Sequence, residues 1–302
     1  MSEANCTYVC SRGILKRCEI TTATPQSSVR KMIGYDWKNM HDGAVVYIHG
    51  SAIPFFVAAI FPHVKHRFVL VSGDCDETVA ADIFSSEKAF REFIEDPRLL
   101  HWFSQNATTV HPKLTPIPIG MCYHCIVRGG DWRHGEVPPL EYEATLKAIA
   151  AAAPPPAERE LKCYANFHFQ MWTKFGADRK EAIAEIPADC IYYEPARIDT
   201  YNTWRAQVKY NFVVSPCGGG YDCHRTWEAL ALGLIPIIRT SPMDRLFEGL
   251  PVVIVQHWSD ITPTFLKEQL EVVERRKVAG EYDMRRLTLD YWMERIQAAA
   301  VI

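Results

Sequence analysis

YNFVVSPCGGGYDCHRTWEALALGLIPII, residues 210–238, spells out a complete local unit. A strand-forming run from Tyr210 to Val214 leads into three glycines, Gly218, Gly219 and Gly220; an amphipathic run follows, and Gly233 and Pro236 mark its end. The order is strand, glycine loop, helix, strand. Glycines between a strand and a helix let the backbone approach an anion closely, and the first free N–H groups of the helix, with its dipole, favour negative charge. Asp222 is placed to cap the helix, His224 and Arg225 fall in its first turn, and Arg225 and Glu228 lie three residues apart on one face. A guanidinium there meets phosphate oxygens with its planar fork, and a carboxylate accepts hydrogen bonds from a ribose diol. The plainer alternative is that Arg225 and Glu228 pair with each other.

The same stretch holds Cys217 and Cys223, but five residues separate them, where structural zinc sites use two to four. Cys122 and Cys125 do have zinc spacing, yet they lie far off in sequence beside Pro and Ile residues that read as a strand end. Ten cysteines spread over 302 residues without an export signal are expected to be free thiols in the cytoplasm. A net charge of -3 argues against a nucleic-acid partner, and no segment has the length to serve as a membrane anchor.

Outward from this unit, short apolar runs alternate with helical ones. AVVYIHG (44–50), RFVLVSGD (67–74), LLHWFSQ (99–105) and KLTPIPIG (113–120) read as strands, with helices over 52–61 and 86–96. After AAAAPPPAERE the alternation restarts: CYANFHF (163–169), a helix from Asp178 to Ile186, CIYY (190–193), a helix from Thr200, and then the opening unit. Three consecutive prolines place a boundary near Pro155. The expected domains are 1–155, 156–280 and a C-terminal helix over 281–302 that packs back on the first. The fold class is α/β, with two Rossmann-like halves.

SPCGGGYDCHRTWEALALGLIPIIRTSPMDRLFEGLPVVIV resembles the nucleotide-sugar-binding half of exostosin-like glycosyltransferases, including the small soluble forms of large algal viruses. The resemblance lies in a Ser-Pro-x-Gly loop, a helix opening with Arg and carrying Glu-Ala-Leu, and a Gly-x-Ile-Pro strand. FVLVSGDCDET, HWFSQN with KLTPIPIG, and YANFHF followed by DRKEAI are similar to the same relatives. Cys217 departs from the pattern, standing where a basic or other polar residue often follows Ser-Pro.

What the resemblance implies is a GT-B arrangement of two facing domains, a nucleotide-sugar donor (UDP favoured, UDP-xylose a guess) and a glycan or glycoprotein acceptor. Transfer would be inverting and need no cofactor or divalent metal. Arg225, Arg179 and Lys174 are the candidates for the diphosphate. Asp74, at the end of the strand RFVLVSG, is the expected base, with Asp76 and Glu77 as competitors. Asp74-Cys75-Asp76 also reads as D-x-D, a pair of carboxylates that can share a divalent ion; this is the rival site. His49, His168 and His224 could touch sugar or phosphate, and of these His224, beside Arg225, is the one expected in the donor site. Trp102 and Trp132 could stack on a sugar ring, although such residues are more often structural. A non-catalytic nucleotide- or glycan-binding module is the second class. A dinucleotide oxidoreductase is disfavoured, since no G-x-G-x-x-G follows the first strand.

Overall fold

The computed structural model describes residues 2–22, 32, 34–123 and 137–301. The chain forms two compact units. The first comprises Ser2–Ile119 and Thr288–Ile302, and the second Gly120–Leu287.

In the first unit β1 (Ala44–His49), β2 (Phe68–Gly73), β3 (Leu99–Ser104) and β4 (Leu114–Pro116) form a parallel sheet in the order β1-β2-β3-β4. All six residues of β1 and of β2 are buried, which is why these strands read as unbroken apolar runs rather than alternating ones. Phe56, Phe61, Phe68, Phe93 and Trp102 meet edge to face on this sheet, for example Phe61 and Phe93 at 5.1 Å between centroids. Trp102 is fully buried and its indole N–H donates to Ser72 Oγ at 2.8 Å, so it is a core residue and not a sugar platform. The helix Leu289–Ala298 belongs to this unit and packs on the helix Ser11–Arg17, with the Leu289 N–H donating to Thr7 O.

The second unit holds β5 (Glu160–Ala165), β6 (Ile191–Tyr193), β7 (Tyr210–Val214), β8 (Ile235–Arg239) and β9 (Val253–Val255), all parallel, in the order β6-β5-β7-β8-β9. This is a doubly wound sheet: the chain steps from β5 to β6 on one side and then returns to place β7 on the other. The reversal between β5 and β7 has no counterpart in the described strands of the first unit, which run in simple sequence.

The boundary expected near Pro155 falls instead between Ile119 and Gly120. The helix Pro139–Ala151 lies with the second sheet, because Tyr142 packs at 4.6 Å on Trp204 of the helix Thr200–Gln207. Gly120 takes a left-handed φ of 66°, a turn that favours glycine. Residues 167–169 form a 3-10 turn rather than the end of a strand, since β5 stops at Ala165. Among the described residues no helix is long and apolar enough to cross a membrane.

Candidate functional site

The helix His224–Ala231 follows β7 after the glycine loop. Its C-terminus closes in a Schellman motif: Gly233 has φ 72°, the Leu234 N–H donates to Ala229 O and the Gly233 N–H to Leu230 O. Its N-cap is Cys223, not Asp222, and no side chain of the cap accepts from the first turn. Asp222 is buried, and both of its oxygens accept from the Trp227 indole N–H at 2.8 and 3.0 Å. Its carboxylate holds the helix to its own core.

The glycine loop also differs from the expected anion cradle. A Cβ on Gly218 would stand 2.8 Å from Arg179 Nη2, so the bare glycine accommodates a protein guanidinium. Arg179 is buried; its Nε–H donates to Cys217 O at 2.8 Å, and its Nη1 donates to Gln170 O and Phe167 O. It ties the loop after β5 to the loop after β7 and is not a wall of the cavity described next. Gly218 N–H donates to Gly220 O at 2.9 Å, closing the loop on itself. Lys174 is exposed and its Nζ lies 5.2 Å from the Phe175 ring centroid.

A cavity of ≈ 460 Å³ opens at the C-terminal ends of β6, β5 and β7, the switch point at which open α/β sheets bind ligands. After β5 its wall is Asn166, Phe169 and Gln170; after β6, Glu194, Arg197 and Ile198; after β7, His224, Arg225 and Glu228. Thr203 and Gln207 line it from the helix Thr200–Gln207, and Tyr142 from the helix Pro139–Ala151. Of the donor residues expected from sequence, His224, Arg225 and Glu228 come together here. Glu194, Asn166, Arg197 and Gln207 were not foreseen. Glu194 carried the same signal that singled out Asp74, a carboxylate just past an apolar strand, here IYY.

The electrostatics of the wall are specific. Arg225 Nε–H donates to Asn166 Oδ1 at 3.2 Å and Nη1 to Ser215 Oγ at 3.4 Å; Nη2 makes no hydrogen bond among the described residues. Glu228 Oε2 accepts from the Trp204 indole N–H at 3.3 Å, and Oε1 has no such partner. The pairing alternative does not hold: Arg225 acts on Glu228 through space, without a hydrogen bond or close ion pair among the described residues. Burial pushes the Glu228 carboxyl up to about 7, against the lowering effect of the Trp204 hydrogen bond and the Arg225 charge. Burial pushes His224 down to about 4, so it is neutral near pH 7. Its Nδ1 lies 2.7 Å from Gly120 O, which can only accept, so Nδ1 carries the proton and Nε2 is the acceptor nitrogen. His224 is therefore not a cationic phosphate partner beside Arg225.

In the first unit Asp74 follows β2 with a left-handed φ of 61°, and its backbone N–H donates to Gln105 Oε1 at 2.7 Å. Asp76 is exposed; Glu77 accepts from the Ser51 hydroxyl and lies below the ordinary carboxyl range, because that bond and others outweigh desolvation. His49 is buried and its Nδ1 accepts from the Ser51 N–H at 3.2 Å; His168 Nε2–H donates to Glu194 O at 3.0 Å. Among the described residues no group of three or more His, Cys, Asp or Glu is placed to hold a metal ion. Cys217 and Cys223 are free thiols, but Cys122 is disulfide-bonded, which departs from the expectation of free thiols throughout. Cys125 and Trp132 lie outside the described residues.

No family model and no curated protein matches the chain. Among solved structures it is similar to one described as "Trehalose-6-phosphate from E. coli bound with UDP-2-fluoro glucose", with a TM-score of 0.34 and 12% identity over 86% of this chain and 72% of that one.

Proposed function

We propose that the chain is a glycosyltransferase that moves a sugar from a nucleotide-sugar donor to a hydroxyl of a glycan acceptor. The observation that supports this best is the switch-point cavity, in which Arg225 Nη2 and Glu228 Oε1 are left uncommitted beside a helix N-terminus. That set suits a diphosphate on the guanidinium and a ribose diol on the carboxylate. UDP is the donor nucleotide that the sequence resemblance favours.

In the proposed reaction the acceptor oxygen forms a bond to the anomeric carbon as the bond from that carbon to the diphosphate oxygen breaks. Arg225 and the dipole of the helix His224–Ala231 stabilise the charge that develops on the leaving group. Asp74 takes the acceptor proton as general base, giving inversion without a metal. Its place past the end of β2, with a backbone held by Gln105, supports it over Asp76, which is exposed. The D-x-D alternative would instead use Asp74 and Asp76 as metal ligands.

The test is turnover of a panel of UDP- and GDP-sugars with and without EDTA. Turnover that ignores EDTA is the expected result. Activity lost in EDTA and restored by Mn²⁺ would move the chemistry to the D-x-D pair. The absence of both turnover and thermal shift with every donor would reject the transferase.

A further inference from the structure

Glu194 is the second carboxylate of the cavity wall, and ribose and diphosphate contacts do not use it. It is 8% exposed and makes no ion pair among the described residues. Its position is fixed three times over: its backbone N–H donates to Ala165 O at 2.9 Å, its carbonyl accepts from His168 Nε2, and its Oε2 accepts from the Tyr164 hydroxyl at 2.9 Å. Tyr164 is itself fully buried. Oε1 has no partner among the described residues and is not sealed from accessible space, so it opens on the cavity. A carboxylate so deeply buried with one oxygen unpaired costs folding free energy, and a ligand that donates a hydrogen bond offsets that cost.

Position points to the kind of ligand. β6 and β7 flank β5, so the strand ends that precede Glu194 and Glu228 lie two strand spacings apart, about 10 Å. With the ribose at Glu228, the base of a nucleotide lies toward Glu194, beside Phe169 and Ile198.

Resting on the nucleotide-sugar reading, we infer that Glu194 is the base-edge acceptor of this site and that the donor carries a base with a ring N–H, uracil or guanine. Uracil offers N3–H, and guanine offers N1–H with an amino N–H beside it. Cytosine and adenine offer an amino group only next to a bare ring nitrogen, whose lone pair would face the carboxylate. An acceptor-only side chain therefore separates the two pairs of bases.

The experiment is calorimetric titration of the full chain and of Glu194→Gln with UDP, GDP, CDP and ADP. The wild type should bind UDP or GDP about tenfold or more tighter than CDP and ADP, the effect of one charge-assisted hydrogen bond. The tighter of UDP and GDP identifies the base. Glutamine can donate as well as accept, so Glu194→Gln should close the gap to within about threefold. Should that variant fail to fold, Tyr164→Phe with Glu194→Leu removes donor and acceptor together and should also lose the preference. CDP or ADP binding the wild type as tightly as UDP and GDP, or a preference kept in the variants, overturns this inference alone. Binding of none of the four overturns the nucleotide reading with it.

Discussion

Both units present polar side chains at the C-terminal ends of parallel strands, and they treat them in opposite ways. In the first unit the strand-end groups answer one another. Ser72 Oγ lies 2.7 Å from Ser104 Oγ and accepts from Trp102; Gln105 accepts from the Asp74 N–H and donates to Ser11 Oγ and Pro118 O; Glu77 accepts from Ser51. In the second unit, where the strand order reverses, Arg225 Nη2, Glu228 Oε1 and Glu194 Oε1 face a cavity with no protein partner among the described residues. Buried polar groups that the chain satisfies are structure. Those it leaves open at a switch point are the groups on which the proposed donor would sit.

The largest expected effect breaks this contrast at Arg225. Arg225→Ala removes the cavity's half-buried guanidinium and should weaken UDP binding by about a hundredfold, the scale of a charge-assisted contact from its open Nη2. Asp74→Asn, in the other unit, should leave UDP affinity within about twofold while abolishing transfer. Titration calorimetry and a turnover assay on the same preparations separate the two. Normal turnover in Asp74→Asn would reject the proposed base, and unchanged affinity in Arg225→Ala would reject the diphosphate grip.

A smaller effect sharpens the line between structure and site within the helix unit itself. Asp222 lies two residues from His224 in sequence, yet its oxygens are spent on the fully buried Trp227. Asp222→Ala leaves that indole N–H unpaired and should cost about 1–3 kcal/mol in urea unfolding, with little change in nucleotide affinity among folded molecules. A loss of affinity at unchanged stability would return Asp222 to the site.

These cases show what could be read in advance. The strands were legible because β1, β2 and β7 are buried on both faces, and the helix His224–Ala231 because Gly233 ends it. Arg225 and Glu228 were legible as neighbours on one helical face. The partners of Asp222 and Arg179 were not, since each is chosen by tertiary packing: an indole one turn along, and three carbonyls from two loops. The three glycines suggested phosphate, but at Gly218 the space is taken by Arg179. Glu194 is not legible in the sequence, because Asp74, Asp76 and Glu77 carry the same strand-end signal and only tertiary packing decides which carboxylate opens on a cavity.

The smallest expected effect is a pH dependence that sets the cavity's stability against its affinity. With its carboxyl raised from 4.5 to about 7, Glu228 binds a proton in the folded chain that the unfolded chain releases. Its contribution to stability is therefore fully present below about 4.5 and is lost as pH rises through about 7. Affinity runs the other way, because only the ionised form presents Oε1 as a pure acceptor to a ribose diol. UDP affinity should thus rise a few-fold from pH 6 to pH 8, as the folded carboxyl ionises, while the unliganded protein loses this contribution between about 4.5 and about 7. Glu228→Gln does not titrate, so it should flatten the rise in affinity. Below about 6.5 His224 works against the stability loss: with its ring lowered from 6.5 to about 4, the unfolded chain binds a proton that the folded chain does not. Its contribution therefore grows as pH rises over that range and offsets the loss from Glu228, whereas between pH 6.5 and 8 the ring is neutral in both states. Affinity that is flat in the wild type, or a slope that survives in Glu228→Gln, would place the ribose elsewhere.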